Sequence, residues 1–457
     1  MIFMAKTIAA VATGNAAGGI GVIRISGDNA VAIADKVFCP ADNSSLCELG
    51  GYRAKFGYIK YKNERIDNAV ALVFRAPRSY TGEEVVELSV HGGLFIVQKT
   101  LEAVFDAGAE PAEAGEFTKR AFLNGKLDLA QAESVADLIS AQGDAAAKAS
   151  FNLLQGSLSN KINSILDSLI NSSALMAAWV DYPDEEIPEL EESTLLQTLT
   201  DNRNELSALI DNYENGQAAT QGIETTIAGR PNAGKSTLMN LLAGREKSIV
   251  TDIAGTTRDI VEESVRLGNL VLHLSDTAGL REGGDIVEAI GIKRAYEKIE
   301  SASLIIAVFD SSVPLNESDF DLIEKCRGKK CVAVINKIDI ENGADMSAVE
   351  NAFDRVVYMS ANNSKYAAEL EAAISELFGV TDFDASAPLL ANIRQKKCCK
   401  NALDGIDEAI NALESGITFD AVNVLIDGAV DELLALTGKK ATVEVVNNIF
   451  SRFCVGK

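Results

Sequence analysis

Gly229-Arg230-Pro231-Asn232-Ala233-Gly234-Lys235-Ser236 reads G-x-x-x-x-G-K-S, the spacing of a phosphate-binding loop. A β-type run at 223–228 precedes it and a helix-prone run at 237–242 follows. That context is what the loop needs. Its glycines let backbone N–H groups wrap phosphates, Lys235 supplies neutralising charge, and the Ser236 hydroxyl can ligate Mg²⁺. A chance glycine-rich turn before a structural helix is the competing reading, and the flanking strand and helix weigh against it.

Further short motifs follow in order, each closing an apolar run. The run 270–274 leads into Asp276-Thr277-Ala278-Gly279, a D-x-x-G, and 304–309 is another buried-strand pattern. In D-x-x-G the carboxylate can hold the Mg²⁺ shell and the glycine N–H can meet a γ-phosphate. The run 331–335 leads into Asn336-Lys337-Ile338-Asp339, and 355–359 leads into Ser360-Ala361-Asn362. The Asp339 carboxylate can accept two N–H donors from guanine, a pair that adenine lacks. One such tetrapeptide is a plausible solvated turn; several in order, each after a strand, predict a GTP-hydrolysing α/β domain.

The chain has 457 residues, enough for two to four domains with separate cores. Its 42 Lys and Arg against 66 Asp and Glu give a net charge of −24, which argues against broad nonspecific coating of nucleic acid. A local basic patch or an RNA-handling partner remains compatible. The seven cysteines form no C-x-x-C pair and only two histidines accompany them, so structural zinc is not expected and a reducing cytoplasm fits. Cys398-Cys399 reads as packing on a helix rather than a redox pair. No apolar run reaches the roughly 20 residues of a membrane span, and the opening Met1-Ile2-Phe3-Met4 is too short for a signal segment.

Taken in order, residues 1–116 read as an α+β unit, with strands near 7–13, 21–25, 56–61, 69–74 and 85–90 and helices near 29–38 and 94–107. The glycine-rich 14–19 carries no Lys-Ser and reads as a strand connection, not a second nucleotide loop. His91, before two glycines, reads as a turn residue. Residues 117–216 are helical in texture; Leu158, Ile162, Ile165, Leu166, Leu169 and Ile170 are assigned to one face. The acidic 181–192 is read as a solvated loop and 215–222 as a polar linker. The nucleotide domain spans 217–380, with a second linker at 382–388, and helical texture resumes over 381–457. Helices of one kind on both sides predict that the G domain is an insertion within a helical domain.

Directly after D-x-x-G, Ras-like GTPases place a glutamine that orients the attacking water. This chain has Leu280 there. Arg281, Glu282, Asp285 and Glu288 are polar candidates downstream, each also readable as a solvated charge. Extra positive charge is needed as well, from an arginine of another chain or from a monovalent cation. The side-chain oxygen of Asn232 suits such a cation.

With these residues assembled, the chain resembles the MnmE (TrmE) tRNA-modification GTPase family of TrmE-Era-EngA-like GTPases, over essentially its whole length. The marks are Arg24-Ile25-Ser26-Gly27, Tyr80-Thr81-Gly82-Glu83, His91-Gly92-Gly93, the stretch 121–130, the phosphate loop, Ala254-Gly255-Thr256-Thr257-Arg258-Asp259, 276–280, and Phe453-Cys454-Val455-Gly456-Lys457. Val455 stands where the family usually has isoleucine, and Gly14-Asn15-Ala16-Ala17 replaces a Pro-Gly-Arg type of loop.

The resemblance implies a multi-domain α/β and α architecture: an N-terminal α+β folate-binding and dimerisation domain, a helical domain, and an inserted Ras-like P-loop G domain. It implies GTP contacts from Asn232, Ala233, Gly234, Lys235, Ser236, Thr237, Thr251, Asp252, Ile253, Ala254, Gly255, Thr256, Thr257, Asp276, Thr277, Ala278, Gly279, Asn336, Lys337, Asp339, Ser360 and Ala361. K⁺ would be held by Asn232, Thr251, Ile253 and Thr256, and Mg²⁺ by Ser236 and Thr257. Lys235, Thr257 and Glu288 would be catalytic, Glu288 positioning the water. The implied contacts to 5-formyltetrahydrofolate or methylene-tetrahydrofolate are Arg24, Glu83, Lys126 and Lys457, with the cations suited to glutamate carboxylates and Glu83 to pteridine N–H groups. The implied assembly is a homodimer that joins the flavoprotein MnmG (GidA) as a heterotetramer and acts on tRNA with FAD and NADH, in the cytoplasm and with no membrane. A ribosome-assembly switch that grips rRNA shares the G motifs but needs a basic module absent from this sequence. A folate enzyme with a regulatory G domain would turn over folate without GTP.

Overall fold

The computed structural model describes residues 6–181, 191–243, 263–268, 270–275, 299–300, 302–340, 344–379 and 384–457. The chain divides into two compact units, Met1–Ala136 with Leu434–Lys457, and Asp137–Leu433.

The first unit is built on a sheet of β1 (Ile8–Val11), β2 (Ile20–Ser26), β3 (Phe38–Pro40), β4 (Arg53–Tyr61), β5 (Glu64–Phe74), β6 (Val85–His91) and β7 (Glu110–Pro111), in the order β3-β4-β5-β6-β2-β1-β7. All neighbours are antiparallel except β1 and β7. Side chains alternate across a strand, so Ile23, Ile25, Ala71, Val73, Val86 and Leu88 share one face. That face is covered by α1 (Ala30–Val37) and α2 (Leu94–Asp106) through Val31, Ile33, Val97 and Val104. On the opposite face Arg24 lies directly across from Glu87 and Ala10 across from Arg24. Phe117 of α3 (Glu116–Leu123) packs there against Ile8 and Ala10. The glycine-rich segment joins β1 to antiparallel β2, as a strand connection should. After α4 (Leu129–Ser140), the chain end contributes α15 (Val443–Phe450), whose Val446 and Phe450 pack with Phe453 against Leu129 and Ala132.

In the second unit α5 (Asp144–Leu154), α6 (Ser157–Asp181), α7 (Glu192–Asp211), α8 (Tyr213–Gln221), α13 (Ile393–Glu414) and α14 (Phe419–Thr437) are helical. Helices α7 and α13 are joined by an ion pair, Arg203 to Asp407 at 2.6 Å. Along α6, Leu158, Ile162, Ile165, Leu166 and Leu169 are buried, but Ile170 is 44% exposed. Each residue turns a helix by about 100°, which carries position 170 past the edge of the stripe set by 162, 165 and 169. The segment read as a polar linker is the helix α8. Tyr213 and Ala218 are buried and Thr220 Oγ donates to the Gly216 carbonyl at 2.8 Å, so packing overrides weak local propensity. Cys399 is buried within α13, in keeping with a packing role.

Between α8 and α13 lies the α/β sheet: β8 (Ile223–Ala228), β9 (Glu263–Leu267), β10 (Leu270–Ser275), β11 (Leu304–Asp310), β12 (Cys331–Asn336) and β13 (Val356–Met359). Its order is β13-β12-β11-β8-β10-β9, parallel but for the β9–β10 pair. Every residue of β11 and β12 is buried, because parallel strands are covered on both faces. The covering helices are α9 (Lys235–Ala243), α10 (Glu317–Cys326), α11 (Ser347–Ala352) and α12 (Ala367–Leu377). Gln221 Nε2 donates to the Ala391 carbonyl at 2.8 Å, so the chain leaves for this sheet and returns from it at adjacent points. No helix among the described residues is long and apolar enough to cross a membrane.

Candidate functional site

The carboxyl ends of β8, β12 and β13 open on one crevice, the place where open parallel sheets bind ligands. The loop 229–234 joins β8 to α9, so the first N–H groups of α9 point into it. Lys235 Nζ donates to the carbonyls of Gly229 at 2.7 Å and Arg230 at 2.8 Å. Burial pushes this ammonium below the ordinary lysine pKa, because desolvation penalises the charged form. Asn232 is exposed with a left-handed backbone, φ 64°, a conformation asparagine tolerates better than most residues. Ser236 and Thr237 are exposed at the start of α9.

One side chain ties the crevice together. Asn336 Nδ2 donates to the Ala233 carbonyl at 2.9 Å, and its Oδ1 accepts from the Ala361 N–H at 2.9 Å. The phosphate loop, the end of β12 and the loop after β13 are therefore held by a single buried amide. Gly234 sits against it with φ 102°, and a Cβ there would overlap the Asn336 amide. Ile340 N–H returns to the Lys337 carbonyl at 3.0 Å, a turn that displays Asp339 on the surface. Lys337 Nζ reaches Asp310 at 2.7 Å. Burial works to raise the Asp310 pKa, but hydrogen bonds from Lys337 and Ser312 hold it below the ordinary value. Helix-end N–H groups, an ammonium and a hydroxyl form a donor set that fits a polyphosphate with a hard divalent cation.

In the other unit, Arg24 Nε donates to Glu87 at 2.9 Å and Nη1 to the Gly456 carbonyl at 3.4 Å. Its guanidinium lies 5.5 Å from the Tyr80 ring centroid and 5.6 Å from that of Phe117. The segment after α15 reaches Arg24 by pairing with the start of α3: Ala114 bridges Val455, Gly115 N–H donates to Cys454 at 3.4 Å, and Phe117 N–H to Lys457 at 3.2 Å. Gly456, φ 98°, passes so close to the Val11 carbonyl that a Cβ would not fit. Burial first, and the Arg24 charge second, push the Lys457 ammonium below its ordinary pKa. Glu83 accepts from Ser26 Oγ at 2.7 Å and from Arg120 Nη1 at 3.0 Å. Lys126 is exposed and donates to the Pro77 carbonyl at 3.2 Å. Arg24 and Lys457 are thus neighbouring cations, and Glu83 is a carboxylate held by Ser26 and Arg120, a set of groups suited to a ligand with an anionic tail and N–H donors.

A family profile described as the MnmE helical domain matches residues 129–454, and one described as the GTP-binding protein TrmE N-terminus matches residues 7–126. The chain belongs to the MnmE family. The tRNA modification GTPase MnmE of Lachnoclostridium phytofermentans is 39% identical over 454 residues, covering 99% of each chain. The protein of that name from Clostridioides difficile is 38% identical over 461 residues, covering 100% of each. Among solved structures, the G domain of the T. maritima FeoB iron transporter is 27% identical and covers 34% of this chain and 98% of that one, with a TM-score of 0.25.

Of the residues that the MnmE resemblance nominates, Asn232, Ala233, Gly234, Lys235, Ser236, Thr237, Asn336, Lys337, Asp339, Ser360 and Ala361 line the crevice or its loops. Arg24, Glu83, Lys126 and Lys457 all lie in the first unit. Thr251, Asp252, Ile253, Ala254, Gly255, Thr256, Thr257, Asp276, Thr277, Ala278, Gly279, Leu280 and Glu288 lie outside the described residues. Two arginines join these sites without being nominated by any motif. Arg120 pairs Glu83 and Glu116 and caps the Lys6 carbonyl; its i,i+4 spacing from Glu116 is the one signal of it in the sequence. Arg230, at a variable position of the loop motif, reaches Asp319 at 3.3 Å and anchors the loop to α10.

Proposed function

We propose that this chain is a K⁺-activated, dimerisation-dependent GTPase that, with the flavoprotein MnmG, adds a (carboxymethyl)aminomethyl group to carbon-5 of the wobble uridine in tRNA. The observation that carries the GTPase reading is the Asn336 tie, which fixes the phosphate loop and the Asp339 turn at one crevice. The tRNA reading is supported by relatives named for that activity that match this chain end to end. The proposed domains are 1–116, 117–216, 217–380 and 381–457, with a cytoplasmic location.

In this reading, Lys235 and the N–H groups of 234–237 bind and orient the phosphates, and Asp339 selects guanine. Ser236 and Thr257 would hold Mg²⁺, and Asn232 with Thr251, Ile253 and Thr256 would hold K⁺; both ions supply positive charge against the charge that develops on the transferred phosphoryl group. Leu280 cannot bind water, so Glu288 positions and polarises the nucleophile. FAD and NADH act through the partner.

Turnover in K⁺ should exceed that in Na⁺ at equal ionic strength by at least about tenfold, a small part of what an arginine finger supplies. In K⁺ the rate per subunit should rise with protein concentration, because two G domains complete the site. Equal rates in the two salts would remove Asn232 from its role, and a concentration-independent rate would remove the dimer.

The pocket at Arg24 and Lys457 is proposed to bind 5-formyltetrahydrofolate, with methylene-tetrahydrofolate as the one-carbon donor. Lys457→Ala should weaken formyl-folate binding by roughly thirtyfold, the scale of a lost charge-assisted hydrogen bond in a half-buried site. GTP hydrolysis should persist, since Lys457 and the phosphate loop belong to different units. Equilibrium dialysis showing undiminished folate binding would contradict this assignment.

A further inference from the structure

Beside Lys126 the first unit carries an open groove of about 730 Å³, walled by the end of α3, the turn 124–128, the 437–443 connection and α15. Three lysines line it, Lys119, Lys126 and Lys439, against one carboxylate, Asp128. That ratio runs opposite to the whole chain, where 66 acidic residues outnumber 42 basic ones. Asp128 is already engaged, accepting the Gln131 N–H at 2.8 Å to cap α4. Lys119 donates to the neutral amide of Asn447 at 2.8 Å, and Lys126 to the neutral carbonyl of Pro77 at 3.2 Å. These bonds fix the two ammonium groups without neutralising them. Between the cations, Leu123 at 66% and Val443 at 70% exposure present apolar surface to the solvent.

Lys126, one of the residues nominated for folate, lines this groove. Gly82, next to Glu83, is close enough that a Cβ on it would stand 3.5 Å from Lys126 Cγ. A ligand leaving the proposed folate site past Lys126 would meet a strip of alternating positive charge and methylene surface. A γ-linked oligoglutamate chain has the complementary pattern, a carboxylate on each residue and an aliphatic stem between them. The volume lies within the roughly 300–1,000 Å³ of small-molecule sites and is small for a folded RNA segment.

We propose that this groove binds the oligo-γ-glutamate tail of polyglutamylated folates, so that the tailed form is the preferred ligand. The proposal rests on the folate reading above. It is tested by calorimetric titration of the full-length chain with 5-formyltetrahydrofolate as the monoglutamate and as the pentaglutamate. The pentaglutamate should bind about tenfold tighter, the product of two modest ion-pair gains. That advantage should shrink as salt is raised. In the K119Q/K439Q double variant the ratio of the two affinities should fall close to one. Equal affinities in the unaltered chain would overturn the tail site and leave the folate pocket standing; failure of both ligands to bind would overturn the pocket itself. A double variant that keeps its ratio but loses tRNA would overturn the proposal in favour of an RNA surface. Should that variant not fold, a salt-independent advantage in the unaltered chain would overturn it equally.

Discussion

Gly234→Ala should lower GTP affinity by at least about a hundredfold, through backbone strain and two lost hydrogen bonds. At φ 102° the backbone lies where an L side chain is strained, and the new Cβ would overlap the Asn336 amide. Asn336 must then move. Its bonds to the Ala233 carbonyl and the Ala361 N–H, both 2.9 Å, are lost together. The phosphate loop is thereby released from the loops that carry Asn336 and Ala361. Fluorescent-nucleotide titration reads the effect, and formyl-folate binding by the same preparation serves as the folding control. Affinity within threefold of the unaltered chain would show that the Asn336 tie is not what shapes the crevice.

The second large effect is expected at Glu288, which lies outside the described residues. Glu288→Ala should reduce kcat by between about a hundredfold and ten-thousandfold, the range of a positioned general base. GTP affinity should be retained, because in the proposed role the carboxylate would act on water in the transition state and not on the bound nucleotide. Parallel Glu282→Ala and Asp285→Ala variants complete the comparison. Full turnover without Glu288, with loss at either of the other two, would reassign the role.

Much of the nucleotide site is legible in the amino-acid order alone, for a physical reason. A parallel strand buried on both faces must be a continuous apolar run, so 304–309 and 331–335 announce themselves, and the motifs mark where each strand ends. The tie made by Asn336 is not legible in that way. Its motif points to the base, yet its amide serves the backbone of residues 233 and 361, a relation that depends on how three loops converge. Helix α8 is hidden because Gly216 and its polar neighbours carry turn propensity, and only burial of Tyr213 and Ala218 decides otherwise. At the proposed folate site the family motif marks Arg24, but its partner Glu87 follows from strand register, which a single sequence does not specify.

The bond from Gln221 to Ala391 joins residues 170 positions apart. An excursion that departs and comes home through one doorway behaves as a cassette: its interior can be altered without re-threading the helices behind it. The chain crosses between the crevice and the helices at α8 and the segment before α13, and Arg266 of β9 spans the same divide to Asp144 of α5 at 3.7 Å, so whatever the crevice does when its phosphate is cut has these few routes to the helices.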